Sequence, residues 1–147
     1  MAITKSSTQG IELYRDTVDT YLTEAQVEGL VSVSTPDNAK EQLDSTDLDS
    51  TSKEYISGLG DNGEISFSVN IDLNNATHQA LIADNNSGTT RYWKIRIPEA
   101  GVATYTDITF AGYVGGFSAD NSIDAVQNWS GTIVVDGAAT FAHAEAA

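Results

Sequence analysis

From Glu64 to Leu73 the chain alternates without a break. Ile65, Phe67, Val69, Ile71 and Leu73 are apolar, and Glu64, Ser66, Ser68, Asn70 and Asp72 are polar. Successive side chains of a strand point to opposite faces, so the stretch predicts a half-buried strand with one dry and one wet face. The run Gly58-Leu59-Gly60-Asp61-Asn62-Gly63 before it is a turn, because Gly and Asn accept the positive φ that turns need. Weaker alternation places strands at residues 10–15, around Ile11 and Leu13, and at residues 29–34. Pro36 ends the second, since proline cannot continue a central ladder. After the central strand, Asn74 or Asn75 supplies an N-cap acceptor for a helix reaching Asp84, with Leu73, Ala76 or Thr77, Ala80, Leu81 and Asp84 at helical spacing.

Three further strands follow. Residues 91–97 point Trp93, Ile95 and Ile97 inward, and Pro98 closes them. Residues 107–118 point Ile108 and Phe110 inward and carry Gly112, Gly115 and Gly116, which predict a bend or bulge. Residues 125–137 put Trp129, Gly131, Ile133 and Val135 on one face. The expected core is Ile65, Phe67, Val69, Trp93, Ile95, Ile108, Phe110, Ile133 and Val135, with Leu81 packing the helix onto it. About six strands and one helix predict a mainly β domain: a β-sandwich or flattened barrel of about six strands with one packed α-helix. Residues 1–147 form a single domain. Residues 1–10 read as an N-terminal arm, 36–63 as a long acidic loop and 138–147 as a C-terminal tail. In the loop, Leu43, Leu48, Tyr55, Ile56 and Leu59 are the large apolar residues, and so long a loop in a compact domain is usually functional or disordered.

Composition narrows the function. Against 21 acidic residues stand 7 basic ones, a formal charge of -14. Such a chain lacks the basic surface that nucleic-acid backbones or acidic membranes require. There is no cysteine, hence no disulfide framework, thiolate site or cysteine nucleophile. No apolar run reads as a signal peptide or membrane span, so the expectation is a soluble chain made in a cytoplasm.

Candidate chemistry is sparse. His78 reads as a polar residue on the helix surface, and His143 lies far off in the tail; no nucleophile elbow accompanies the many Ser and Asp residues, and no catalytic set is expected. Asp44, Asp47 and Asp49 invite a calcium reading. Counting from Asp44 or from Asp47 fails to place Gly and Glu where an EF-hand loop needs them, which leaves a generic oxygen-ligand site. Gly112-Tyr113-Val114-Gly115-Gly116 carries no Lys and opens no helix, so it is no phosphate loop. Arg91, Lys94 and Arg96 share one strand, where they either pair with carboxylates on a neighbouring strand or meet another subunit's acids.

The ordered series of segments resembles a known family. Asp47-Leu48-Asp49-Ser50-Thr51-Ser52-Lys53-Glu54-Tyr55-Ile56-Ser57-Gly58-Leu59, then Gly63-Glu64 and the alternating strand, looks like the signature of major tail tube proteins of long, non-contractile phage tails. A short helix, Tyr92-Trp93-Lys94-Ile95-Arg96-Ile97-Pro98, Phe110-Ala111-Gly112-Tyr113-Val114 and Ser130-Gly131-Thr132-Ile133 continue the match over about residues 27–137. The resemblance implies a non-enzymatic structural protein of the virion tail, a siphophage major tail tube subunit without cofactor. It implies self-assembly into hexameric rings stacked into a helical tube through which DNA is ejected without specific binding. It also implies the tape measure, tail terminator and distal tail proteins as further partners. The alternative is a calcium-assisted β-sandwich binding or adhesion module.

Under the tail-tube reading, residues 1–10 and 40–62 are expected to be assembly elements. Ile3, Leu43, Leu48, Tyr55, Ile56 and Arg91 are the interface candidates, because neither segment buries its apolar residues by itself. The wet strand face, Glu64, Ser66, Ser68, Asn70 and Asp72, is the candidate channel lining, since a wall of DNA's own sign does not grip it.

Overall fold

The computed structural model describes residues 10–18, 24–37, 39–61, 63–98, 104–119 and 127–145. In chain order the elements are β1 (Glu12–Asp16), β2 (Ala25–Gln26), β3 (Leu30–Val33), β4 (Ala39–Asp44), β5 (Tyr55–Asp61), β6 (Glu64–Asn70), α1 (Ala76–Ser87), β7 (Arg91–Pro98), β8 (Thr104–Ala119) and β9 (Asn128–Glu145). Seven strands form one antiparallel sheet in the order β2-β1-β7-β8-β9-β6-β3, and β4 and β5 form a separate two-stranded sheet.

The large sheet is curled, and chain connectivity requires it. β2 lies at one edge and β3 at the other, yet only Val27, Glu28 and Gly29 separate them. Gln26 to Leu30 is four Cα steps, at most about 14 Å, so the end of β2 and the start of β3 must lie close together while the rest of β3 stays unpaired on its outer side. At that seam Val27 N–H donates to Leu13 O at 2.8 Å and Asn70 N–H donates to Gly29 O at 2.8 Å. Gly29 has φ +76°, and a Cβ there would sit 2.7 Å from the Asn70 carbonyl oxygen, so the corner accepts only glycine.

The dry faces enclose the core: Leu13, Val27, Ile65, Phe67, Val69, Leu81, Trp93, Ile95, Ile108, Phe110, Val114, Phe117 and Ile133. Every expected core residue is buried except Val135, which packs half-buried against the cluster. Trp93 keeps its indole N–H satisfied by the Gly112 carbonyl at 3.0 Å. The bulge expected among the glycines of β8 lies between Val114 and Gly116, where the β8–β9 register shifts.

Helix α1 packs against β8. Its N-cap is Asn75, whose side chain accepts from the N–H of Thr77 and His78, and Gly88 closes it with φ 68°. Such caps satisfy backbone groups that a helix end leaves unpaired. The buried stripe is His78, Leu81 and Asp84.

Four expectations need correction. The central strand ends at Asn70 rather than Leu73: Asp72 folds the chain into a turn, its carboxylate accepting Asn74 N–H at 3.0 Å and its carbonyl accepting Asn75 N–H at 2.9 Å. Leu73 is thereby turned out and 50% exposed. His78 is buried, because both ring nitrogens find backbone partners, with Asp72 N–H 3.0 Å from Nδ1 and the Glu28 carbonyl 2.6 Å from Nε2. Residues 36–63 carry a hairpin, β4–β5, in which Gly and acidic residues mask the period-two pattern in the sequence. The expected tail from residue 138 is strand: Asp136-Gly137 opens a bulge with φ +86° at Gly137 instead of ending β9, and pairing with β8 resumes at Thr140 opposite Thr109.

Candidate functional site

The wet face of β3, β6, β9 and β8 is a sheet of hydroxyls and amides. Cross-strand registers set Ser68 opposite Ser130 and Ser130 opposite Ser118, Ser66 opposite Thr132, and Asn70 opposite Asn128. Ser32 reaches Ser68 oxygen to oxygen at 2.8 Å, Ser34 Oγ accepts Ser66 N–H at 2.9 Å, and Asn128 donates to Asn70 at 3.3 Å. A shallow depression of about 430 Å³ is lined by Ser32, Ser66, Ser68, Ser118, Ser130 and Thr132 among others. Glu64 lies at one end of the face, opposite Val134, with Asp136 further along β9. Of the candidate lining, Glu64, Ser66, Ser68 and Asn70 share this face, with Ser68 half-buried and the others exposed. Asp72 does not, since it belongs to the turn into α1.

The described cations of the curled sheet do not serve this face, because they are spent in ion pairs elsewhere. Arg15 and Arg91 both reach the buried Asp84, Arg15 Nη2 at 2.9 Å and Arg91 Nε at 3.0 Å. Lys94 pairs with Glu24 at 2.7 Å and lies over the Tyr14 ring. Arg96 forms a two-point pair with Asp107 at 2.9 and 3.1 Å and stacks 4.1 Å from the Tyr105 ring centroid. The hydrogen bond to Asp107 pushes the Arg96 pKa above its ordinary value, with burial opposing it. Burial, then the hydrogen bond to Glu12, raises Tyr14 to about 12. Lys94 and Arg96 thus pair with Glu24 and Asp107, not with Glu64 or Asp72, and Arg91 is held within the subunit.

The second feature is the β4–β5 hairpin, which stands off the body. Its residues are exposed except Gly58, which is half-buried. Leu43 pairs with Ile56 and Asp44 with Tyr55 across the ladder, so Leu43 and Ile56 share one face. Leu48 is fully exposed at the tip. The tip is ordered by its own side chains: Asp44 accepts Thr46 N–H at 2.9 Å, Asp47 accepts Asp49 N–H at 3.0 Å, and Ser50 Oγ donates to Asp47 at 3.1 Å. The Thr46 hydrogen bonds hold the Asp44 pKa below the usual carboxylate range. Asp44 and Asp47 are thereby turn-formers, and among the described residues no three His, Cys, Asp or Glu gather in a way that could hold a metal ion. The remaining interface candidate, Ile3, lies outside the described residues.

The third feature is a set of open sheet edges, which neither composition nor periodicity marks. β7 pairs along β8 only as far as Gly112, so residues 113–119 of β8 have β9 on one side and no described strand on the other. β3 is the terminal strand beyond β6. Beyond Val135, β9 has β8 on one side and no described strand on the other, because β6 begins at Glu64 opposite Val134.

Comparison with known proteins agrees with this geometry. A family model described as phage tail tube, lambda-like, matches residues 4–104. Structural protein 3 of Pseudomonas phage PAJU2 is 27% identical over 146 residues, covering 88% of each chain. The fold is similar to that in the tail of an empty gene transfer agent particle with C6 symmetry, with TM-score 0.73, 16% identity, and 94% of this chain and 99% of that chain covered. It is similar to the SPP1 tail tube, with TM-score 0.72, 8% identity, and 96% and 80% covered. It is similar also to the sheath/tube terminator of an extracellular contractile injection system, with TM-score 0.74, 10% identity, and 97% and 99% covered.

Proposed function

The chain belongs to the lambda-like phage tail tube family, and from that premise we propose that its subunits close into sixfold rings that stack into the channel for DNA. It is a structural component of the virion tail, not an enzyme. The observation that carries the ring is the pair of open edges: β3 on one side and residues 113–119 of β8 on the other bound a four-stranded sheet with a hydroxyl face. An exposed edge offers a row of unpaired backbone groups, and head-to-tail pairing of two different edges closes into a ring when the rotation closes. Six copies of four strands make about 24, well above the 16–18 at which a barrel leaves an aqueous channel. The hydroxyl face, with Glu64 at its end, lines that channel.

The hairpin β4–β5, with Leu43, Leu48, Tyr55 and Ile56, contacts a neighbouring subunit, because an isolated two-stranded sheet is marginally stable in water. Residues 1–10, with Ile3, act likewise. Arg91, paired with Asp84 and still partly exposed, is the remaining interface candidate on the body of the subunit. Tape measure, tail terminator and distal tail proteins are the further partners, and DNA passes without specific binding. No observation favours a calcium-assisted adhesion module.

Electron microscopy of the purified chain tests the ring. Tubes with sixfold symmetry are expected, and deletion of residues 44–52 should leave a folded monomer that makes none. Wild-type tubes of another symmetry, or normal tubes from the deletion, would overturn those two points respectively.

A further inference from the structure

We propose that the edge of β9 at residues 138–142 receives the β4–β5 hairpin of a second copy of this chain; this rests on the tail-tube reading. Two unpartnered surfaces on one molecule carry the argument. On β9, Phe141 stands opposite Ile108, so the two share a face. Ile108 is 2% exposed and Phe141 55%, which makes Phe141 the uncovered end of a core row that begins at Leu13 and Ile95. It is uncovered because β6, which shields β9 as far as Val134, stops there. Around it lie Ala138, Ala139 and Ala142, small side chains that let another strand approach.

The second surface is the hairpin, with Leu43 42% and Ile56 57% exposed on one face and no described strand along either long edge. An extended segment that adds to a sheet edge gains main-chain hydrogen bonds, and apolar side chains meeting across the new pair supply the specificity. The molecule's own hairpin leaves β9 at Gly63, where Val135 N–H donates to the Gly63 carbonyl at 3.0 Å, so the site stays open to another copy.

Charge points to the same occupant. Lys40 and Lys53 are the described cations not used in the ion pairs of the curled sheet, and both belong to the hairpin segment. In a chain of net charge -14, these are the cations positioned to meet a neighbour's acids. Asp136 is exposed on β9 itself, beside that edge. A contact between two different patches of identical chains is heterologous and propagates, which suits a tube.

The absence of cysteine gives a clean test. I56C and F141C proteins, each prepared singly and mixed, can form a mixed disulfide only between molecules whose Cα atoms come within about 7 Å. The expected result is an oxidised I56C–F141C dimer in assembled tubes and none from either variant mixed with wild type. In parallel, F141D should keep the wild-type melting curve, because the side chain is already half out, and should raise the concentration needed for tube formation at least about tenfold. Tubes lacking the cross-link, or folded F141D assembling at wild-type concentration, overturn this pairing and leave the tube reading standing. Wild-type chain that forms no tubes sinks both.

Discussion

Phe67 and Phe117 stack with ring centroids 5.7 Å apart, and the ladder residue between them is Gly131. A Cβ at Gly131 would lie 2.5 Å from the Gly116 carbonyl oxygen and 3.1 Å from Cζ of Phe67. The glycine is therefore the gap into which two rings from flanking strands close, and Trp129 extends the stack at 5.2 Å from Phe117.

Phe67→Ala should cost about 3–5 kcal/mol, from lost transfer energy plus the cavity left behind. Gly131→Ala should cost about 1–3 kcal/mol by overpacking, although it adds a single methyl group. Urea denaturation of the unassembled subunit measures both. Gly131→Ala at wild-type stability would mean that the rings do not meet over this position.

Asp84 is the buried anion for two guanidinium groups, and it ties α1 to β1 and β7. Asp84→Asn should destabilise by about 3–5 kcal/mol, because it leaves buried positive charge without a partner. Arg91→Met should cost clearly less, since Arg91 is the more exposed of the two partners and Arg15 still neutralises Asp84. Thermal melts of the two variants check the order.

How far the sequence carried depended on whether a segment's partners lie beside it or beyond it. The alternation of Ile65, Phe67 and Val69 is a local statement about one buried face, and the structure buries all three. Asp72 and Leu73 continued that alternation but were claimed by a turn, because Asp72 bonds to the next residues of the chain. His78 looked like a surface residue because its partners, Asp72 and Glu28, come from a turn and a seam that only the folded chain assembles. Phe117 was missed for a related reason: the bulge at Gly115 switches the parity of β8, so a period counted from Ile108 and Phe110 puts it on the wrong face. The hairpin was read as loop because its apolar residues cover nothing within the subunit. The open edges had no sequence signal, since an unpaired edge is a property of where neighbouring strands stop.

Tyr14 supplies a pH signature. Burial and the hydrogen bond to Glu12 raise it to about 12 in the folded chain, against an ordinary value of 10.0. A group whose folded pKa is raised favours its protonated form in the fold. Its stabilising contribution is therefore complete below pH 10 or so and is lost as the pH climbs toward 12. Spectrophotometric titration should show a late-ionising tyrosine that Tyr14→Phe removes, and the variant should lose less stability than wild type between those limits. A titration unchanged by Tyr14→Phe would assign the late ionisation to another tyrosine.

The channel wall gives the last prediction. A tube that conducts DNA works against itself if its wall holds phosphates, and screening confines any wall charge to a reach of about 8 Å at physiological salt. Only residues on the lumen surface matter at that range. On the hydroxyl face Glu64 is the acidic group of β6, and the seryl and amide side chains beyond it carry no charge. Glu64→Lys should therefore leave the fold and the tube intact, since the residue is exposed, and should convert one ring of repulsive groups per layer into attractive ones. Ejection should slow, and more so at low salt, where each phosphate contact is less screened. Asp72→Lys is the matched control: it changes charge equally but at the turn into α1, off the lining face. It should leave ejection near wild type if tubes form. Unchanged ejection from tubes shown to contain the Glu64→Lys subunit would place this face away from the lumen.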